Sequence, residues 1–117
     1  MSTMNDNVDS FVGLDYKTVR RLIKESCERI DRMANTLLVL ERGGMTLCKA
    51  YCDEYELLLL ERLDMCRKLN EFYTENRKKS FWPFRCLIDR NIIKVAQLHK
   101  ETLLKLMALR NYVRLNF

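Results

Sequence analysis

The apolar positions of the first third of the chain repeat with the period of an α-helix. One heptad position holds Tyr16, Ile23, Ile30 and Leu37, and the position three residues later holds Val19, Ser26, Met33 and Leu40. Seven of these eight residues are apolar, a pattern typical of helices that pack as coiled coils. Asp15 precedes the pattern as an N-cap and Gly43-Gly44 follows it as a terminator, so we predict a helix over about 15–42. Residues 1–14 are predicted to form a partly ordered lead.

Two further helices are predicted after the glycine pair. The chain from Thr46 to Lys79 contains no Gly or Pro, so we predict a second helix over about 46–79. Ser80 is expected to cap the next helix, and Pro83 suits a first turn, where its missing N–H costs no hydrogen bond. The third helix is therefore predicted over about 83–115, with Asp89 as an alternative cap.

Short connections between long helices favour antiparallel neighbours. Three glycines and one proline provide few turns for a sheet. We therefore predict an all-α fold with one helical domain over 15–117, either an elongated antiparallel three-helix bundle or a coiled-coil-like helical hairpin. The first helix is the shortest, and its N-terminal end should lie beside Phe72. Beyond that point the second connection forms an aromatic corner of Phe81, Trp82 and Phe84. We expect the lead to cover this corner with Phe11, Val12 and Leu14.

Several leucines fall on helix faces that should be polar. Leu57 to Leu60 are consecutive and surround the second helix completely, so two neighbouring helices cannot cover all of them. Scattered surface leucines are ordinary, but these share one height with apolar residues of the third helix. We predict a partner-binding surface formed by Leu38, Leu57, Leu60, Leu104 and Ala108, with Trp82 as a further contact.

Charge is segregated along the chain. Residues 1–76 contain 11 basic and 14 acidic side chains, whereas residues 77–117 contain 10 basic and 2 acidic ones. A basic surface is predicted at Arg77, Lys78, Lys79, Arg85, Arg90 and Lys94. Nucleic-acid phosphates, an anionic membrane face or an acidic helix would suit it. Alternatively, Trp82 and its neighbouring phenylalanines cap the core.

Candidate chemistry is sparse. The chain contains one histidine and no phosphate-binding glycine loop, so we expect no enzyme activity and no cofactor. Cys48 and Cys52 are one helical turn apart, and His99 or Cys66 could complete a zinc site. We favour buried free thiols for these cysteines and a position at the edge of the core for His99, and expect no metal.

The sequence thus favours a non-enzymatic interaction module. It would assemble by helix packing into a homo-oligomer or a larger complex, with a protein or a second copy as partner. The alternative is a nucleic-acid-binding module that uses the basic third helix and the aromatic corner. The longest uncharged stretch, Met33 to Leu40, is far below the ~20 residues that a transmembrane helix needs. With no secretory signal visible, we expect an intracellular protein, cytoplasmic or nuclear.

Overall fold

Three long α-helices form the part of the chain that the computed structural model describes, residues 10–44 and 48–117. They are α1 (Tyr16–Arg42), α2 (Lys49–Lys79) and α3 (Phe84–Asn116), and the described residues contain no strand. α2 is the middle helix of a molecule with extents of 54 × 32 × 20 Å. The predicted all-α class and the elongated three-helix bundle are confirmed.

The ends of α1 follow from its flanking residues. The Asp15 carboxylate accepts a hydrogen bond from the Thr18 amide at 2.8 Å. Hydrogen bonding by the Thr18 side chain and by this amide lowers the pKa of the Asp15 carboxyl. At the other end, the Gly43 amide donates to the Val39 carbonyl at 3.1 Å. Gly44 then takes a φ of +75°, a left-handed conformation that favours glycine. Both residue types therefore act as the sequence predicts.

The connection between α2 and α3 differs from its prediction. Ser80 does not cap α3 but is the C-cap of α2, and its hydroxyl donates to the Asn76 carbonyl at 2.8 Å. The prediction was wrong because a carbonyl one turn earlier satisfies this hydroxyl. α3 begins at Phe84 with Pro83 as its N-cap and without a side-chain capping bond. The predicted start of the second helix, Thr46, lies outside the described residues, as do residues 1–9 of the lead.

α2 and α3 form a tight antiparallel hairpin. Three polar contacts between their side chains set the register from one end to the other: Arg77 Nε to Asp89 Oδ1 at 2.7 Å, Arg62 Nε to Thr102 Oγ1 at 2.8 Å and Arg110 Nε to Glu56 Oε2 at 2.9 Å. α1 packs against α2, and none of its Cα atoms comes within 8 Å of a Cα atom of α3. α1 is thus the outer helix and packs on the hairpin through α2.

The core consists of two apolar clusters. One surrounds Val19, Phe72 and Ile88, and the other surrounds Ile30, Leu59 and Leu106. Three buried polar residues belong to neither cluster, one from each helix: Ser26, Arg62 and Thr102. The Tyr16–Phe72 ring contact fixes the pairing of α1 with α2 and places Ser26 level with Arg62. A polar layer therefore divides the core.

The chain before α1 turns away from the second connection. The Tyr16 ring lies 5.2 Å from the Phe72 ring, so α1 begins where the sequence predicted. Phe11 is buried in the first cluster, with Lys68 Nζ 5.8 Å from its ring centroid, and the Ser10 hydroxyl donates to Glu71. The predicted cover over the aromatic corner is therefore wrong, because α2 offers Phe11 a deeper apolar site.

None of the helices within the described ranges combines the length and hydropathy needed to cross a membrane.

Candidate interaction surfaces

Five apolar side chains are exposed together on the outside of the α2–α3 hairpin. Leu57 is 61% exposed and Met107 65%, and their companions are also exposed. We call this set the hairpin patch: Leu57, Leu60, Leu103, Leu104 and Met107. All five lie between two contacts that join the helices, Glu56–Arg110 on one side and Arg62–Thr102 on the other. The register of the hairpin therefore brings them to one height.

The helical period explains why the patch is on the outside. Leu59 and Leu106 point into the core, and their neighbours are rotated away from it by about 100° per residue. Open clefts follow the groove between the helices on both sides of the patch. One lies beside Cys52 and Val113 and measures about 80 Å³, and the other lies beside Asn70 and Ala96 and measures about 400 Å³. Leucine and methionine side chains occupy the stretch between these clefts.

The sequence identified part of this surface. Leu57, Leu60 and Leu104 belong to the hairpin patch, and Ala108 is exposed one turn beyond Leu104 on the same stripe of α3, where its single methyl adds little area to the patch. Leu38 is exposed on a different helix, near the end of α1. Leu103 and Met107 were missed. Their spacing of four residues was the available signal, but only the packing of α3 decides which apolar stripe faces solvent.

Opposite charges flank the hairpin patch. On its α2 side lie the carboxylates of Asp53 and Asp64, and on its α3 side lie the cations of Lys100 and Arg114, all on surface positions by the helical period. Glu56 and Arg110 lie between these two sides and pair with each other across the groove at 2.9 Å. Lys68 donates to Asp64 at 3.0 Å and, with Arg67, lowers the pKa of that carboxyl. The patch thus has an acidic edge and a basic edge at the same height, and the aspartates of the acidic edge also pair with cations of α2, Asp53 with Lys49 and Asp64 with Arg67 and Lys68.

A second apolar surface lies at the far end of the hairpin. Trp82 is 75% exposed, and three neighbouring side chains are more than half exposed. We call these four residues the tip: Phe81, Trp82, Phe84 and Leu87. The alternative in which Trp82 and the phenylalanines cap the core is wrong, because Phe72, Tyr73 and Ile88 already close this end of the core. Trp82 is also far from the hairpin patch. It follows the end of α2 at Lys79, which is 19 residues and ~28 Å along the helix from Leu60.

The tip has a defined conformation and a basic surrounding. The Phe81 and Phe84 rings pack edge to face with centroids 5.6 Å apart, and Arg85 Nε donates to the Ser80 carbonyl at 2.7 Å. The predicted basic residues Arg77, Lys78, Lys79, Arg85, Arg90 and Lys94 are all exposed. Within residues 77–94, Asp89 is the sole acidic residue. It pairs with Arg77, so cations dominate this end.

The five cysteines are free thiols that differ in exposure. Cys52 and Cys66 are buried, which raises the pKa of the Cys66 thiol to about 11, whereas Cys48 is exposed at the start of α2. The prediction of a buried Cys48 was wrong, because that residue precedes the helix. His99 is exposed and lines the larger cleft together with the core residues Cys66 and Val95. Among the described residues, no three side chains of His, Cys, Asp or Glu come close enough to hold a metal ion.

Comparison with protein-family models, curated proteins and solved structures finds no match to this chain. The two surfaces are therefore interpreted from their own chemistry.

Proposed function

We propose that this chain is a non-enzymatic interaction module that assembles through the hairpin patch, with a second copy of the chain as its partner. The observation that supports this proposal is the shared height and exposure of five large apolar side chains on one face of a tight hairpin. Covering them removes roughly 400 Å² of apolar area from water in each copy, worth on the order of 10 kcal/mol before the cost of association.

The charged edges support a second copy in one orientation. A two-fold axis that lies in the contact plane and runs along the helices places α2 of one copy against α3 of the other. The acidic edge then faces the basic edge at matching heights, because Asp64 is level with Lys100 and Asp53 with Arg114 in the hairpin register. An axis across the helices would instead bring the two acidic edges together.

Light scattering after size-exclusion chromatography tests this proposal. We expect the wild-type chain to be a dimer, and Leu57→Glu/Leu60→Glu to be a folded monomer, because two carboxylates would be buried in the contact. Val39→Glu is the control, since Val39 is also an exposed apolar residue but lies on α1, and this variant should stay dimeric. A folded wild-type monomer, or a double variant that still dimerises, would contradict the proposal.

The orientation has a separate test. Lys100→Glu should weaken the dimer at least about fivefold if α2 faces α3, because it places a carboxylate opposite Asp64 of the second copy. If α2 faces α2, the same substitution should leave the affinity unchanged or raise it, because the basic edges of the two copies then face each other and lose repulsion. A Kd from sedimentation equilibrium that does not change would contradict the proposed axis.

The alternative, a nucleic-acid-binding module, has weaker support. The basic side chains of α3 are spread around the helix and do not form a stripe, and some are already paired with carboxylates, including Arg110 with Glu56 and Lys105 with Glu101. Steep loss of binding with salt is the behaviour that would favour it.

A further inference from the structure

The tip is the largest exposed aromatic feature in the described part of the chain and takes no part in the hairpin patch. Its four residues protrude because α1 begins level with Phe72, leaving only two helices beyond that height. Phe11 is occupied elsewhere in the core, so the described lead does not cover them. Exposed groups of this kind on a folded protein indicate a binding surface.

We propose that the tip inserts into the interface of an anionic membrane. Trp and Phe favour the boundary between headgroups and acyl chains, where an aromatic ring is partly buried and cations meet lipid phosphates. The tip combines both requirements, because four exposed cations lie within three residues of its apolar side chains in the chain: Lys78, which also pairs with Glu75, and Lys79, Arg85 and Arg90. Attraction to a negatively charged leaflet is worth about fivefold in affinity for each such cation.

The structure favours a membrane over the other candidates. A second copy bound tip to tip would bring two strongly basic surfaces into direct contact, which charge repulsion opposes. A single nucleic-acid strand needs a groove that follows its backbone and separate ring faces for stacking. Here the Phe81 and Phe84 rings pack against each other, Leu87 offers no ring, and the site is the convex end of a hairpin.

The turn is suited to insertion because polar contacts between the ends of α2 and α3 fix its conformation. The Arg77–Asp89 pair joins the end of α2 to the start of α3, and Arg85 binds the Ser80 carbonyl. The apolar side chains are therefore presented without prior unfolding of the helices. The ordering cost on binding is then small.

Trp82 is the only tryptophan in the chain, so its fluorescence reports directly on the tip. The experiment mixes the full chain with vesicles of phosphatidylcholine containing about 30% phosphatidylserine, and with vesicles of phosphatidylcholine alone. With anionic vesicles we expect co-sedimentation, a blue shift of Trp82 emission and quenching by lipids brominated on their acyl chains. Neutral vesicles should bind at least about tenfold more weakly.

Two variants and one control separate insertion from charge attraction. Phe81→Ser/Phe84→Ser keeps Trp82 and every charge, and should bind anionic vesicles at least about tenfold more weakly. Lys78→Glu/Lys79→Glu should lose at least about tenfold as well. Val39→Ser, an exposed residue at the opposite end of the molecule, should bind like the wild type. Circular dichroism checks that each variant keeps its helices.

Three results would overturn the proposal. The first is the absence of any shift or co-sedimentation with anionic vesicles. The second is unchanged binding of the Phe81→Ser/Phe84→Ser variant, which would leave charge alone as the cause. The third is tighter binding to single-stranded oligothymidylate than to vesicles at equal phosphate concentration, with quenching of Trp82, which would assign the tip to nucleic acid.

Discussion

Arg62 places a guanidinium group in the middle of the core, where it is 2% exposed. Its Nε donates to Thr102, but its Nη2 is buried without a hydrogen-bond partner. Among the described residues no carboxylate pairs with it. A buried cation with incomplete hydrogen bonding costs stability that an apolar residue of similar shape would restore. The polar layer therefore lowers the free energy of unfolding relative to an apolar core of the same shape.

Substitutions at Arg62 and Thr102 test that conclusion. Arg62→Met should raise the free energy of unfolding by about 1–4 kcal/mol. Thr102→Val should lower it by about 1–3 kcal/mol in the wild type, because Arg62 then loses its acceptor, but should have almost no effect in the Arg62→Met background. Urea unfolding of the four proteins gives the coupling. Thr102→Ser, which keeps the hydroxyl, is the control, and a destabilising Arg62→Met would contradict the argument.

At the scale of the helices, α1 depends on its start more than the hairpin helices do. α2 and α3 have no side-chain capping bond at their N-termini, but they support each other along their whole length. α1 packs on one neighbour only, so the Asp15 cap accounts for a larger share of its stability than a cap would in α2 or α3. The Thr18 hydrogen bond lowers the pKa of Asp15.

The cap predicts a dependence on acid. Because the folded-state pKa of Asp15 lies below its unfolded value, its contribution is complete above the unfolded pKa and disappears as pH falls through the folded one. Asp15→Asn keeps a capping side chain without a titrating proton. The Tm of the wild type should fall more than that of Asp15→Asn when the pH is lowered from 5 to 3. This range is chosen because the ordinary pKa of Asp is ~3.9. Equal falls would contradict the prediction.

For the whole molecule, the two proposals meet in one geometry. An axis along the helices makes the dimer parallel, so both tips lie at the same end and can contact one membrane together. Two linked contacts bind more tightly than one, because the second is intramolecular.

This geometry predicts avidity. Leu57→Gln/Leu60→Gln, which disrupts the hairpin patch without adding charge, should bind anionic vesicles about tenfold or more weakly than the wild type. At saturation it should show the same Trp82 blue shift, because each tip still inserts. Co-sedimentation titrations and emission spectra measure the two quantities. Unchanged affinity in a variant shown to be monomeric would contradict the parallel arrangement, while the loss of the blue shift would contradict a separate role for the tip.

The fold class, the ends of α1 and the exposed leucines of α2 were readable from local patterns. Heptad spacing determines the face that a helix buries, and capping residues act within one turn. Leu57 and Leu60 were identifiable because four consecutive leucines exceed what two neighbours can cover.

Packing between helices decided the rest. Phe11 enters the core instead of covering the aromatic corner because α2 provides an apolar site near Lys68, several helical turns before that corner. The side of α3 that exposes Leu103 and Met107 depends on the α2–α3 register, which the cross-helix contacts set. The burial of Arg62 likewise needs three helices at one height. Such outcomes depend on contacts between residues distant in sequence, and hydrophobic periodicity within one helix carries no information about them.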